Sequence, residues 1–125
     1  MNCWRWPVHG FGTVSYKDDG CGQRLTQNLS DDTCDWDHMR NSYSGDDYSI
    51  AQIRAIATLM RDCGYAVQMH YGTRESSASV SAQAMRTYFH YSATAKDRGS
   101  NYYPEDLWHE YIRQDLNARR PVLYS

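Results

Sequence analysis

Ser49 and Gln52 stand three residues apart at the head of a run in which Ile50, Ile53, Ile56, Met60 and Cys63 recur at helical spacing. In an S-x-x-Q pair the hydroxyl and the side-chain amide each satisfy a backbone amide of a helix's first turn, and apolar residues three and four apart line one face. The spacing predicts an amphipathic helix over 49–63, with Ile53, Ile56 and Met60 buried, Arg54 and Arg61 in water, and Gly64 as the left-handed stop. A helix with one apolar stripe must lay it against another layer.

The candidates for that layer flank the helix. Pro7 halts the opening "MNCWRW", and "HGFGTVSY" alternates small and β-prone residues like an edge strand or hairpin arm. "KDDGCGQRLTQNLSDD", residues 17–32, is polar and turn-rich and reads as an exposed loop, followed by "CDWDHM" with Trp36 as an aromatic anchor. After the helix, "YAVQMHY" reads as a short extended piece. Ala84, Met85, Tyr88 and Phe89 then predict a second helix, capped by Ser79 or Ser81. A third opens at Pro104, with Glu105 and Asp106 in its first turn and Leu107, Trp108, Tyr111, Ile112 and Leu116 on one face. The closing "RPVLYS" has strand character.

At 125 residues the chain fits one domain spanning 1–125. Its formal charge of -2, with no basic stripe, argues against nucleic acid as a partner, and no apolar run reaches the roughly 20 residues of a membrane span. The N-terminus has no signal-peptide apolar region. Only 41% of residues are hydrophobic, yet Tyr (11) far outnumbers Phe (2), a skew that suits clefts and partly wet cores.

No catalytic group follows from the residues alone. "GTRESSASVS" lacks the G-x-S-x-G elbow of a nucleophilic serine and the glycines and lysine of a phosphate loop, so capping and turn formation account for at least two of its four serines. Cys3, Cys21, Cys34 and Cys63 show no C-x-x-C spacing, which argues against a metal site; they are four thiols, or a Cys21–Cys34 disulfide closes the polar loop. Cys63 lies on the apolar stripe at a helix C-terminus and Cys3 beside Trp4 before Pro7, both at the wrong end of a helix for a thiolate. His70, His90 and His109 fall beside aromatics, and Asp46 and Asp47 precede the first helix, where they suit its dipole. No cofactor motif is present.

Taken in order, "MNCWRWPVHGFGTVSY", "CDWDHM", "NSYSG", "IATLMRDCGYAVQMHYG", "RTYFHY" and "LWHEYIRQDLNARRPVLYS" resemble the streptopain-type cysteine peptidases over essentially the whole chain. The resemblance implies an α+β, papain-like fold and an exported bacterial enzyme, secreted or held at the cell surface, that hydrolyses peptide bonds through a Cys–His pair and a thioacyl intermediate. It implies a polypeptide substrate, with a propeptide or an inhibitor as further partners. In that family the nucleophile opens a helix in a GC-V-A-T-A-type motif, whose tail "MNCWRWP" resembles, and the histidine follows in a GGHA-type segment after the strand resembled by "RRPVLYS". The chain is thus expected to be the middle of a peptidase domain, cut at both ends, carrying no catalytic residue of its own.

The loop after "YG" borders the substrate cleft in the family, which nominates Tyr71, Gly72, Ser76 and Ser77 as peptide contacts. Arg74 and Glu75 stand where small residues are common in the family. The alternative is a non-catalytic binding or inhibitor module derived from the same fold, distinguished by whether the flanking gene sequence continues into the two motifs.

Overall fold

A computed structural model describes residue 1, residues 4–45 and residues 47–123. Cys3 and Asp46, with the roles considered for them, lie outside the described residues, as do Tyr124 and Ser125. The chain forms, in order, β1 (Thr13–Asp18), β2 (Gln23–Asn28), α1 (Ile50–Ala66), β3 (His70–Tyr71), β4 (Ser76–Ser77), α2 (Ala82–Phe89) and α3 (Glu105–Asn117). The strands make two separate antiparallel hairpins, β1–β2 and β3–β4.

The polar stretch 17–32 is not a loop. Gln23–Asn28 pairs along its full length with β1, from Asp18↔Gln23 to Thr13↔Asn28. Its polar side chains mislead because the outer face of this hairpin meets water, where Ser15 and Thr26 hydrogen-bond across the strands at 2.9 Å. The inner face carries the alternation instead, with Val14, Tyr16 and Asp18 buried between exposed neighbours. Val14, Tyr16 and Leu29 meet Ala66 of α1 and Phe89 of α2 in the central cluster, flanked by the half-buried Leu25, Cys63, Tyr65, Met85 and Tyr88.

Helix α1 begins as its sequence requires. Ser49 Oγ accepts from the Gln52 amide at 3.2 Å and Gln52 Oε1 from the Ser49 amide at 3.0 Å, a reciprocal capping box. Its buried face differs from the expected one. Ala55, Asp62, Gly64 and Ala66 turn inward, while Ile53 is 50% and Met60 66% exposed; Ile56 is half-buried, and Arg54 and Arg61 face water as expected. Ala66 packs with Val14, Tyr16 and Leu29, whereas Gly64 faces the Tyr71 hydroxyl, and the isoleucine stripe lies roughly a third of a turn from the side that carries Ala55, Asp62 and Ala66. Arg61 joins Asp32 and the buried Asp62, tying α1 to the segment after β2.

Gly64 does not stop the helix, which runs on to Ala66. The left-handed residue is Gln68 (φ 52°), and the Met69 amide reaches the Gly64 carbonyl (2.8 Å) while the Gln68 amide reaches that of Tyr65 (2.9 Å), a Schellman closure. Gly64 leaves room instead for the Tyr71 hydroxyl, which an added Cβ would displace.

Helix α2 is capped by Ser81, whose Oγ accepts from the Ala84 amide at 3.1 Å, and by Asp97, which accepts from the Ala82 amide at 2.8 Å. Its last carbonyls serve the N-terminal segment: Phe11 N donates to Tyr88 O (2.9 Å), Trp6 Nε1 donates to Phe89 O (3.0 Å), and the Phe11 ring stacks on His90. Trp36 anchors the 33–37 segment as expected, its indole donating to Pro7 O at 2.8 Å. Helix α3 starts after Pro104 with its acidic first turn, and its aromatic face packs on its own approach: Tyr111 and Trp108 lie against Tyr103, with the Arg98 guanidinium 3.8 Å above Tyr111. Leu107 and Leu116 remain exposed. The strand expected in the closing residues is not formed over 120–123, because a strand exists only against a paired neighbour and none lies beside it among the described residues.

Emptying the centre of the core with Phe89→Ala is expected to cost about 3–5 kcal/mol. Gly10→Ala is expected to cost about 1–3 kcal/mol by overpacking, since its Cβ would sit 2.6 Å from Leu29 Cβ and 3.2 Å from the Leu29 carbonyl. Urea unfolding followed by tryptophan fluorescence reads both, and an unshifted midpoint for Phe89→Ala would contradict this account of the core.

Candidate functional site

The stretch after α1 folds into the smallest element of the chain. His70 pairs with Ser77 and Tyr71 with Ser76, and the Gly72 amide donates to the Glu75 carbonyl at 2.9 Å to close the turn 72–75. Gly72 is required there, because a Cβ would strike the Glu75 carbonyl. The four residues nominated from the sequence therefore share one hairpin, in different situations. Ser76 and Ser77 are exposed, whereas Tyr71 is half-buried, its ring lying edge-on to Tyr65 (6.4 Å) with its hydroxyl over Gly64.

Asp18, at the end of β1, holds this hairpin in place. Its carboxylate, only 2% exposed, accepts from the amides of Gly20 (3.0 Å), Cys21 (3.4 Å) and Tyr71 (3.1 Å), and pairs with His70 Nδ1 at 3.1 Å. Burial alone would push its pKa up, but the bonds from Cys21, Gly20 and Tyr71 outweigh it and hold the carboxyl down at about 2. Tyr16 adds a second tie, its hydroxyl donating to Met69 O at 2.7 Å. None of this was read from the sequence, where "KDDG" registers only as a turn; the Asp18-to-Gly20 amide bond is the Asx-turn such a stretch favours, and is the signal that was available.

Cys21, Cys34 and Cys63 are unpaired, so no Cys21–Cys34 disulfide is formed. Cys34 is buried under Val8, whose carbonyl accepts its amide at 2.7 Å, while Cys21 is exposed at the hairpin turn. Burial, then the charges of Asp62 and Asp32, push the Cys34 thiol up to about 11; burial, then Asp62 and Cys34, push Cys63 up to about 11. Neither can act as a thiolate at neutral pH. Of the histidines, His70 belongs to Asp18 and His90 to Phe11, while His109 is exposed on α3. No group of three or more His, Cys, Asp or Glu among the described residues could hold a metal ion, and no described helix is long and apolar enough to cross a membrane.

Two measurements test these environments. Because Asp18 titrates lower in the folded chain than the ordinary 3.8, its stabilisation is complete above about pH 4 and is lost as the pH falls toward about 2. The melting temperature of the chain should therefore exceed that of Asp18→Asn at pH 5, and the gap should close by pH 2; a gap constant with pH would refute the assignment. With a thiol reagent at pH 7.5, Cys21 should label faster than Cys63, and Cys34 only on unfolding. Labelling of Cys63 at the rate of Cys21 would contradict its partial burial and raised pKa.

The whole chain, residues 1–125, matches the model of the Peptidase C10 family. It is 29% identical over 129 residues to the thiol protease/hemagglutinin PrtT of Porphyromonas gingivalis, a match covering 100% of this chain and 15% of that protein. To streptopain of Streptococcus pyogenes it is 28% identical over 92 residues, covering 72% of this chain and 23% of that one. The fold matches active wild-type interpain A cysteine protease of Prevotella intermedia with a TM-score of 0.80 at 32% identity, over 92% of this chain and 49% of that one. A prointerpain A fragment matches with the same TM-score at 31% identity, over 92% of this chain and 38% of that one. The chain thus spans less than a quarter of these curated relatives and less than half of the solved ones, and its architecture is the corresponding part of a papain-like fold. Matched by the family model over its full length, this chain belongs to the Peptidase C10 family, that of streptopain.

Proposed function

We propose that these 125 residues form part of the substrate cleft of an exported cysteine endopeptidase, secreted or held at the cell surface. The nucleophilic cysteine and the general-base histidine are supplied by sequence outside them. The observation that carries the reading is the β3–β4 hairpin, which sets the exposed Ser76 and Ser77 at the surface of a chain that matches a cysteine protease structure with a TM-score of 0.80. A peptide bound in extended form can align its main chain with such a strand edge, the serine hydroxyls acting as donor or acceptor to its carbonyls and amides. Tyr71 and Gly72 contribute from beneath, the one by packing on α1 and the other by closing the turn.

The chemistry of the reading is acyl transfer. A thiolate attacks the scissile carbonyl to give a thioacyl enzyme, an imidazole protonates the leaving amine, and water then releases the acid. The raised pKa values of Cys34 and Cys63 support seeking that thiolate elsewhere.

The test assays the 125-residue chain beside a version extended at both ends into the GC-V-A-T-A-type and GGHA-type segments. The extended protein is expected to hydrolyse casein and to be labelled by an active-site-directed cysteine-peptidase inhibitor, the short chain to do neither. Turnover by the short chain, abolished by replacing Cys3, Cys21, Cys34 or Cys63, would overturn the reading. Inhibition of an active peptidase by a short chain that is inert even when extended would favour a non-catalytic binding module.

A further inference from the structure

We propose that Asp18 is a positioning residue for peptide binding: its buried carboxylate sets where the β3–β4 hairpin stands, and through it where Ser76 and Ser77 meet a bound peptide. The inference rests on the reading of that hairpin as part of the cleft.

The hairpin has two residue pairs, too short a ladder to hold its own position. The bonds that seat it come from the β1 side. Asp18 takes the Tyr71 amide on Oδ2 at 3.1 Å and His70 Nδ1 on Oδ1 at 3.1 Å, while Tyr16 holds Met69 O just before β3. Gly20 sets the distance between the two hairpins: a Cβ there would lie 2.6 Å from the Tyr71 carbonyl oxygen and 2.7 Å from His70 Cε1. The Asp18 side chain is 1% exposed, so it reaches no substrate and acts only through the strand it binds. A charged acceptor to a backbone amide is roughly twice as strong as a neutral one, so its loss frees the strand it holds. Because Ser76 and Ser77 in this reading contact the peptide and take no part in bond-making, displacement of the hairpin weakens binding and leaves bond-making alone, which separates KM from kcat.

The experiment uses the extended, active peptidase and a fluorogenic peptide substrate. Asp18→Asn is expected to raise KM about 10-fold with kcat within about 2-fold, and to speed hydrogen exchange at the Tyr71 amide. Gly20→Ala, which pushes on Tyr71 while leaving the carboxylate intact, is expected to raise KM similarly, and it keeps the proposal testable if Asp18→Asn fails to fold. Ser77→Trp is the control for the hairpin itself and is expected to raise KM. A raised KM for Ser77→Trp with no change for Gly20→Ala and Asp18→Asn would overturn the role of Asp18 while leaving the cleft reading intact. An unchanged KM for Ser77→Trp would overturn the cleft reading and this inference with it, and a fall in kcat equal to the rise in KM would show general damage instead of positioning.

Discussion

A single carboxylate removed from water joins the two hairpins of this chain. Burying a charge is costly unless its lone pairs are filled, and Asp18 fills them with three backbone amides and a histidine drawn from both sides of the junction. The cost is what makes the junction specific, because any other placement of β3 strips the charge of the Tyr71 amide and His70, two of its four partners. Around it the fit is steric: Gly20 and Gly64 are the points where a side chain would wedge the hairpins or the helix apart. The position of Ser76 and Ser77 is therefore settled by residues well before them in the chain.

The apolar surface is divided unevenly. Val14, Leu29, Ala66 and Phe89 are closed off from water, whereas Ile50, Ile53 and Met60 on α1 and Leu107 and Leu116 on α3 stand in it. A chain with so much aliphatic surface exposed in rows is prone to associate through it. The match to just under half of an active peptidase structure fits this division, since a helix in a larger domain buries more than one face.

How much could be read from the sequence varied with how local the determinants were. The caps at Ser49 and Ser81 and the three helices rest on contacts within a few residues and were legible; Trp36 was legible as an anchor from its aromatic character, though its partner Pro7 lies 29 residues away. The β2 strand was not, because its pairing partner rather than its own hydropathy makes it a strand, and a solvent-facing strand of Gln, Arg, Thr and Asn has the composition of a loop. The helix register failed for a related reason. Periodicity finds where apolar residues are, but the neighbours that close over Gly64 and Ala66 are met by residues whose small size is silent in a hydropathy pattern. In the candidate site, the hairpin residues came from family resemblance, while the pairing of Asp18 with His70 escaped notice because they lie 52 residues apart and are joined only by the fold.

The clasp between the N-terminal segment and the end of α2 bears on the order in which the chain folds. Trp6 and Phe89 are 83 residues apart, so the loop their bond closes spans most of the molecule and is far dearer in entropy than either hairpin. The β1–β2 hairpin and α1, whose contacts are local, can form as soon as they leave the ribosome. The N-terminal aromatics wait, without the carbonyls they will bind, until α2 has emerged. During synthesis these aromatics are thus made long before the carbonyls they bind, and for that interval their indole and phenyl rings stay open to a chaperone.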